Sequence, residues 1–271
     1  MPKNLVKKSM DKIAARCCCA TTGLALAAVS MGALLAPAPA EADTIFGLHG
    51  SAHLWRPEFG GSVGQSFNAF DISGQFSDEA LSSTSVLLAL EHPLPFVPNV
   101  QIRTTPLDWE GSSDSASGTL GSITINGEVD AELDLDMRDG TLYYEVLDNW
   151  VSLDLGLTAR QLDGFFSVVE VSLGTSDVID INQVVPMAYG HARFDLPFSG
   201  LALGLRGNGI AFDDNNLVDV EAYVHLEFDL IPLVDIGIQG GIRGFNFDID
   251  QSGFEAEASL RGAYVALTGH F

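Results

Sequence analysis

Apolar and polar residues alternate with a period of two along most of this chain. The clearest case is LYYEVLDNWVSLDLGLTAR (142–160), where the apolar positions from Val151 onward alternate with polar ones that include Asp154 and Arg160. Successive side chains of a strand point to opposite faces, so this pattern predicts strands with one apolar and one polar face. The short stretch 148–150 separates two such strands and predicts a hairpin turn.

The same pattern predicts ten strands in all. They cover 44–55, 85–91, 100–109, 129–147, 151–160, 185–196, 201–212, 217–230, 235–247 and 255–271. Four short turns join them at 92–99, 148–150, 197–200 and 231–234. The other connections are longer and polar or glycine-rich, as at 56–84, 111–121 and 161–184, the last with a possible strand extension at 165–173.

One of these strands carries an irregularity. Asn126-Gly127 lies between 122–125 and 129–137, and such a dipeptide between alternating segments predicts a tight hairpin. The apolar residues then change from odd to even positions after Met137. A bulge at Asp139-Gly140 explains this change. A turn that splits the segment into two strands also explains it, but upsets the up-and-down order, so the bulge is favoured.

Short turns on one side and long connections on the other are typical of an outer-membrane barrel. Strands of about 9–11 residues can cross a bilayer at a tilt, and closure leaves no unpaired backbone edge in lipid. Aromatic residues lie near strand ends, where they predict interfacial belts: Trp55, Trp109, Trp150, Phe198 and Phe271. The predicted fold is therefore all-β, a transmembrane antiparallel up-and-down β-barrel of about ten strands, with eight or twelve as alternatives. A secreted soluble β-sandwich or barrel is the competing interpretation.

The first 42 residues have the features of a cleaved signal peptide. A basic start precedes an apolar stretch from Ala20 to Ala36, and small residues offer cleavage after Ala42, or alternatively after Ala40. All 3 cysteines lie in this segment, at 17–19, without a lipoprotein box. We therefore expect export without lipid attachment and a cysteine-free mature domain spanning 43–271.

Charge narrows the choice of partners. Cleavage after Ala42 removes five of the 13 basic and two of the 36 acidic residues, which takes the formal charge from −23 to −26. Such a polyanion repels nucleic acid, so no nucleic-acid partner is expected. No apolar run of about 18 residues follows the signal, so a membrane role has to use strands.

Charged residues on the polar faces are the candidate site. We expect them to line the barrel lumen: Glu91, Arg103, Glu145, Asp154, Arg160, Arg193, Arg206, Glu227 and Arg243. A ten-stranded barrel has a narrow interior, and a buried charge without a partner is costly. These residues therefore predict a structural plug of paired charges. The alternative is a narrow diffusion channel for small solutes, or a ligand site, with the five arginines setting its selectivity.

Other chemistry is not indicated. The six histidines show no HExxH motif or other metal-ligand spacing, and no nucleophile motif accompanies them, so neither a metal nor another cofactor is expected. We expect a non-enzyme, with an outer-membrane barrel hydrolase as a remote alternative. The acidic segments at Asp213-Asp214 and at Asp248 with Asp250 are interpreted as solvated loops, rather than as sites for divalent cations.

Four stretches carry a family resemblance: ALEHPLPFVPNVQIR (89–103), the stretch 142–160 given above, YGHARFDLPFSGL (189–201) and YVALTGHF (264–271). They resemble a family of predicted Gram-negative outer-membrane β-barrel proteins, found in genomes with the GlyGly-CTERM sorting system. The resemblance implies an integral outer-membrane location and insertion by the barrel-assembly machinery through the last strand. Outer-membrane lipid and lipopolysaccharide are the partners expected at such a location. It implies no activity. Gly269 departs from the aromatic residue that is common two positions before the terminal Phe271.

Overall fold

The computed structural model describes residues 46–271 apart from 66–67, 79–80, 95, 198, 213–214, 232–233 and 252–253. The predicted signal peptide, Phe198 and Asp213-Asp214 therefore lie outside the described residues. The first strands are β1 (Gly47–Gln65), β2 (Asn68–Asp71), β3 (Ser77–Asp78), β4 (Ser83–Glu91), β5 (Asn99–Leu120) and β6 (Ile123–Leu147). They are followed by β7 (Val151–Glu170), β8 (Thr175–Leu196), β9 (Leu201–Phe212), β10 (Asn215–Ile231), β11 (Val234–Gln251) and β12 (Phe254–His270). One short helix, α1 (Ile72–Gln75), follows β2.

Ten of the strands form a closed antiparallel barrel. From β4 to β12, each strand pairs with the next one along the chain. β1 pairs with β4 on one side and with β12 on the other, which closes the sheet. The short strands β2 and β3 pair with β1 and β5. The predicted all-β, up-and-down barrel of ten strands is thus confirmed. No helix among the described residues is long and apolar enough to cross a membrane.

The two ends of the barrel differ. We call the end that holds Gly47, His270 and the turn at 148–150 the proximal end, and the end with the hairpin turns at 121–122 and 171–174 the distal end. Several predicted loops are in fact strands, since β5, β6, β7 and β8 run almost to the distal turns. The predicted hairpin at Asn126-Gly127 is wrong. Both residues pair with β5, and the chain turns instead at Gly121, whose φ of 54° suits glycine.

The predicted bulge at Asp139-Gly140 is also wrong. Asp139 pairs with Arg103 and Gly140 with Ile102, without a shift in register. Odd-numbered side chains face inward on both sides of this point, as at Met137 and Asp139, so the strand is regular. The chemistry of the outward face changes instead, because the outward residues become apolar toward the proximal end. The switch of the apolar residues from one face to the other marks a border along the barrel wall.

Outward apolar residues surround the proximal half of the barrel. This apolar belt includes Leu54, Leu88, Ile102, Leu142, Leu157, Leu205, Val224, Ile242 and Leu267, all exposed. On the distal half, the outward residues of β5 and β6 are acidic: Asp108, Glu110, Asp130, Glu132, Asp134 and Asp136. On these two strands the barrel exterior is therefore divided into an apolar zone and an acidic zone.

The predicted aromatic belt is only partly present. Trp150 is 61% exposed and Phe271 58% exposed at the proximal end, as expected of interfacial residues. Trp55 and Trp109 are instead 1% and 2% exposed and lie inside the barrel, which corrects the prediction for these two. Both lie at odd-numbered positions, and in β1 and β5 the even-numbered side chains face outward, so these two tryptophans face inward.

Apolar side chains fill the interior of the distal half. This distal core is built mainly from inward residues of β1, β5, β6, β7 and β10 to β12, with Phe70, Ile72 and Phe76 from the segment around α1 packed into it. Trp109 contacts Phe59 and Phe76 in edge-to-face geometry. α1 is anchored by the Asp71 carboxylate, which accepts a hydrogen bond from the Gly74 backbone N–H.

Candidate functional site

Below the distal core, seven charged side chains form what we call the ionic layer: Arg103, Asp139, Arg160, Arg206, Asp219, Glu221 and Arg243. The strand register places most of them in two cross-strand rows. Asp139 of β6 lies between an arginine of β5 and one of β7. Glu221 of β10 likewise lies between an arginine of β9 and one of β11. Each row therefore reads arginine, carboxylate, arginine across three strands.

Ion pairs join the two rows across the lumen. Arg103 Nη1 and Nη2 both donate to Glu221 Oε2 at 3.1 Å. Arg160 donates to both Asp139 oxygens at 2.7 and 2.6 Å and also to Asp219 Oδ2 at 2.7 Å. The opposite walls of the barrel are thus connected by charge-assisted hydrogen bonds, which are stronger than neutral ones.

Further contacts complete the layer. Arg243 donates to both oxygens of Asp219 at 2.9 and 2.7 Å, and Arg206 Nη1 donates to Glu221 Oε1 at 2.7 Å. The Arg243 guanidinium also lies over the Trp55 ring, 4.6 Å from its centroid. All seven side chains are buried except Arg206, which is partly exposed toward the proximal end.

Between the ionic layer and the proximal opening lies a polar cavity of about 560 Å³, which we call the cup. Glu91 at its rim accepts hydrogen bonds from His49 and Tyr143, both at 2.8 Å. Glu145 accepts one from the Asn99 side chain at 2.7 Å. The cup contains both signs of charge but is mainly acidic, since only Arg193 and Arg206 accompany the carboxylates that line it. It is wide enough for several water molecules.

A hydrogen-bonded chain runs along the wall of the cup. Asp154 Oδ2 lies 2.9 Å from His191 Nδ1, and His191 Nε2 lies 2.7 Å from the Tyr223 hydroxyl. With Nδ1 protonated, His191 donates to Asp154 and accepts from the hydroxyl, so all three groups are satisfied. Among the described residues, no group of three or more histidine, cysteine or acidic side chains is arranged to hold a metal ion.

The nine predicted lumen residues occupy two levels of the interior. Arg103, Arg160, Arg206 and Arg243 belong to the ionic layer. Glu91, Glu145, Asp154, Arg193 and Glu227 line the cup, where Arg193 Nη2 lies 3.6 Å from Glu227 Oε2. The two levels are in contact, because Arg206 also lines the cup.

Three acidic members of the ionic layer were missing from the predicted set. Asp219 and Glu221 share the strand face of Glu227, so the alternation of β10 already carried their signal. Asp139 was missed because the supposed bulge removed it from any face. With β6 as a regular strand, Asp139 faces the lumen and lies beside Arg160, which it binds.

No protein-family model and no curated protein matches the chain. Among solved structures, it is similar to the transport unit of the autotransporter AIDA-I from Escherichia coli, with 10% identity, a TM-score of 0.39, and coverage of 85% of this chain and 92% of the other. It is also similar to the P. putida toluene transporter TodX, with 10% identity, a TM-score of 0.25, and coverage of 83% and 89%. The identities and TM-scores are too low for either similarity to indicate a function or a location.

Proposed function

We propose that this chain is an integral outer-membrane β-barrel protein with its proximal end in the periplasm. The apolar belt supports a bilayer position, because an exposed surface of this kind on all sides is unfavourable in water. The predicted signal peptide supports export, and the extension of β5 to β8 well beyond the belt at the distal end suits the larger, extracellular side of such a barrel. Lipid and lipopolysaccharide are the proposed neighbours of the wall, and the barrel-assembly machinery is the proposed insertion partner, acting on the strand that ends at Phe271.

We further propose that the barrel is of a structural type with a closed lumen. The observation that carries this is the ionic layer, whose ion pairs connect opposite walls directly beneath the distal core. A solute crossing here has to separate buried ion pairs, and leaving a buried charge unpaired costs about 3–5 kcal/mol. It then has to displace close-packed apolar side chains. No catalytic step is part of this proposal.

Ion conductance of the purified mature protein in a planar bilayer tests the closed lumen. We expect no discrete conductance steps from the wild type. We also expect none from Arg206→Ala or Arg193→Ala, because neither change opens the distal core. Folding is checked separately by the faster gel migration of unheated protein, and insertion by protection from protease in vesicles.

The second candidate is a narrow diffusion channel, which the open, polar cup favours as a vestibule. A channel predicts discrete conductance steps from the wild type. It also predicts that Arg206→Ala and Arg193→Ala shift the ion selectivity toward cations, since each removes a positive charge from the cup wall. Conductance steps whose ion selectivity shifts in these variants would contradict the closed lumen and support the channel.

A further inference from the structure

The barrel wall has a gap in its distal half beside β8. β8 pairs with β7 along nearly its whole length, from Thr175 to Phe194. Its pairing with β9 stops at Ala188, which lies opposite Gly209, three residues before β9 ends at Phe212. Within the described part of the chain, β8 between Thr175 and Met187 therefore has a partner on one side alone. The gap lies between this stretch and the β9–β10 hairpin.

An apolar cavity of about 80 Å³ lies inside the barrel next to this gap. Ile179 and Ile181 of β8 line it from one side of the gap, and Leu217 and Phe247 line it from the other. The two isoleucines and Phe247 are only partly buried, as expected of residues at an opening. Among the residues that the structure describes, apolar side chains alone line the cavity. A water molecule needs two to four polar partners, so the site favours a dry occupant.

The gap begins at the border of the apolar belt. Val184 is an exposed, outward apolar residue of β8, and the polar residues Asn182 and Asp180 follow it on the same face. On the other side of the gap, Ala211 faces outward at the distal end of β9. A hydrocarbon chain at the edge of the belt therefore has a short route into the cavity that avoids both the ionic layer and the cup.

We propose that this cavity binds the end of an alkyl chain, which enters sideways through the gap between β8 and the β9–β10 hairpin. The volume sets the class of ligand, because an engineered apolar cavity of about 150 Å³ accepts benzene, and this one suits a slimmer group. The chain can come from a membrane phospholipid or from a free small hydrocarbon. The inference rests on the proposed membrane position but not on whether the lumen conducts.

Quenching of tryptophan fluorescence by bromine tests the site. Trp109 contacts Phe59, a cavity residue, with ring centroids 4.9 Å apart, and so reports on an occupant. Trp150→Phe removes the exposed tryptophan and serves as the background. The refolded full mature chain is placed in vesicles with either a phospholipid brominated near the end of its acyl chain or free 1-bromohexane. We expect saturable quenching from at least one of them, and which one identifies the source.

A matched pair of variants on β12 separates the cavity from the belt. Ala256 is buried and lines the cavity, whereas Ala263 faces the belt. Ala256→Leu fills the space and is expected to weaken the apparent affinity at least about tenfold, or 1.4 kcal/mol. Ala263→Leu is expected to leave it unchanged. Equal quenching in both variants, or none in the folded background protein, overturns the proposal. Folding is confirmed in each case by heat-dependent gel migration.

Thiol labelling tests the route. Ile181→Cys places a thiol at the gap, and we expect this thiol to react in vesicles with a lipid-soluble benzyl thiosulfonate. The attached benzyl group is then expected to slow quenching until a reductant removes it. Met187 lies at the proximal limit of the gap on the same strand, with its side chain buried inside the barrel, so Met187→Cys is expected not to react. An unreactive thiol at 181 in folded protein contradicts lateral entry, as does quenching at an unchanged rate after modification.

Discussion

Asp219 connects two arginines of the ionic layer, since it accepts hydrogen bonds from both Arg160 and Arg243. Asp219→Asn removes the charge while keeping the shape, so Arg243 loses the carboxylate that it binds and Arg160 keeps only that of Asp139. We expect the free energy of unfolding to fall by about 3–5 kcal/mol, the usual cost of breaking a buried ion pair. Urea unfolding in micelles, followed by tryptophan fluorescence and gel migration, measures the change.

Asp195→Asn is the control for this prediction. Asp195 pairs with Arg193 at the cup, where both side chains are substantially exposed. Exposed pairs contribute about 0.2–1 kcal/mol, so this variant is expected to unfold close to the wild type. If both variants have the same stability, the ionic layer does not hold the walls together.

For single residues, the sequence predicted which arginines face the lumen but not which carboxylates pair with them. Arg103, Arg160, Arg206 and Arg243 all occupy polar faces, which alternation alone reveals. Their partners depend on which strands meet across the lumen, as with Arg103 and Glu221, which are 118 positions apart. That distance in sequence carries no local signal, so only the closed barrel brings the two together.

β6 shows how an element can be regular while its environment changes. Its outward residues are acidic up to Asp136 and apolar from Leu142 on, with the same parity throughout. Alternation predicted the strand, but the prediction assumed that apolar residues stay on one face. In the proposed membrane position this assumption fails, because the outside is then lipid in one half and water in the other.

Two lysine substitutions on β6 test this border. Leu142→Lys puts a charge on the apolar belt and is expected to destabilise the folded protein by about 2–4 kcal/mol if it lies near the bilayer midplane. Glu132→Lys lies above the belt, opposite Glu110 on β5. It replaces a like-charge pair by an opposite pair and is expected to stabilise by up to about 1 kcal/mol.

Urea unfolding of both variants in phospholipid vesicles measures these changes. The border is misplaced if Glu132→Lys costs as much as Leu142→Lys. A soluble barrel makes a different prediction, since in water an exposed Leu142→Lys change is close to neutral. The pair of variants therefore also separates the membrane barrel from the secreted soluble barrel that alternation by itself allows.

For the whole molecule, the ten strands of the barrel and their up-and-down order followed from the sequence. The extension of the strands toward the distal turns followed only in part. The segment 111–121 is rich in glycine and serine and resembles a loop, whereas 161–184 was interpreted as a loop with a strand extension at 165–173. These segments are strands because each pairs with a neighbour and covers the distal core. Their order comes from tertiary packing rather than from propensity.

The proposed orientation of the molecule can be measured in intact cells. The mature chain is expected to lack cysteine, so single cysteines report cleanly. Leu173→Cys lies in an exposed distal turn and Asn149→Cys in an exposed proximal turn. We expect a membrane-impermeant maleimide to label position 173 in intact cells and position 149 only after the outer membrane is permeabilised. The reverse pattern would invert the barrel and place the cup at the cell surface, whereas labelling of both only after permeabilisation would argue against an outer-membrane position.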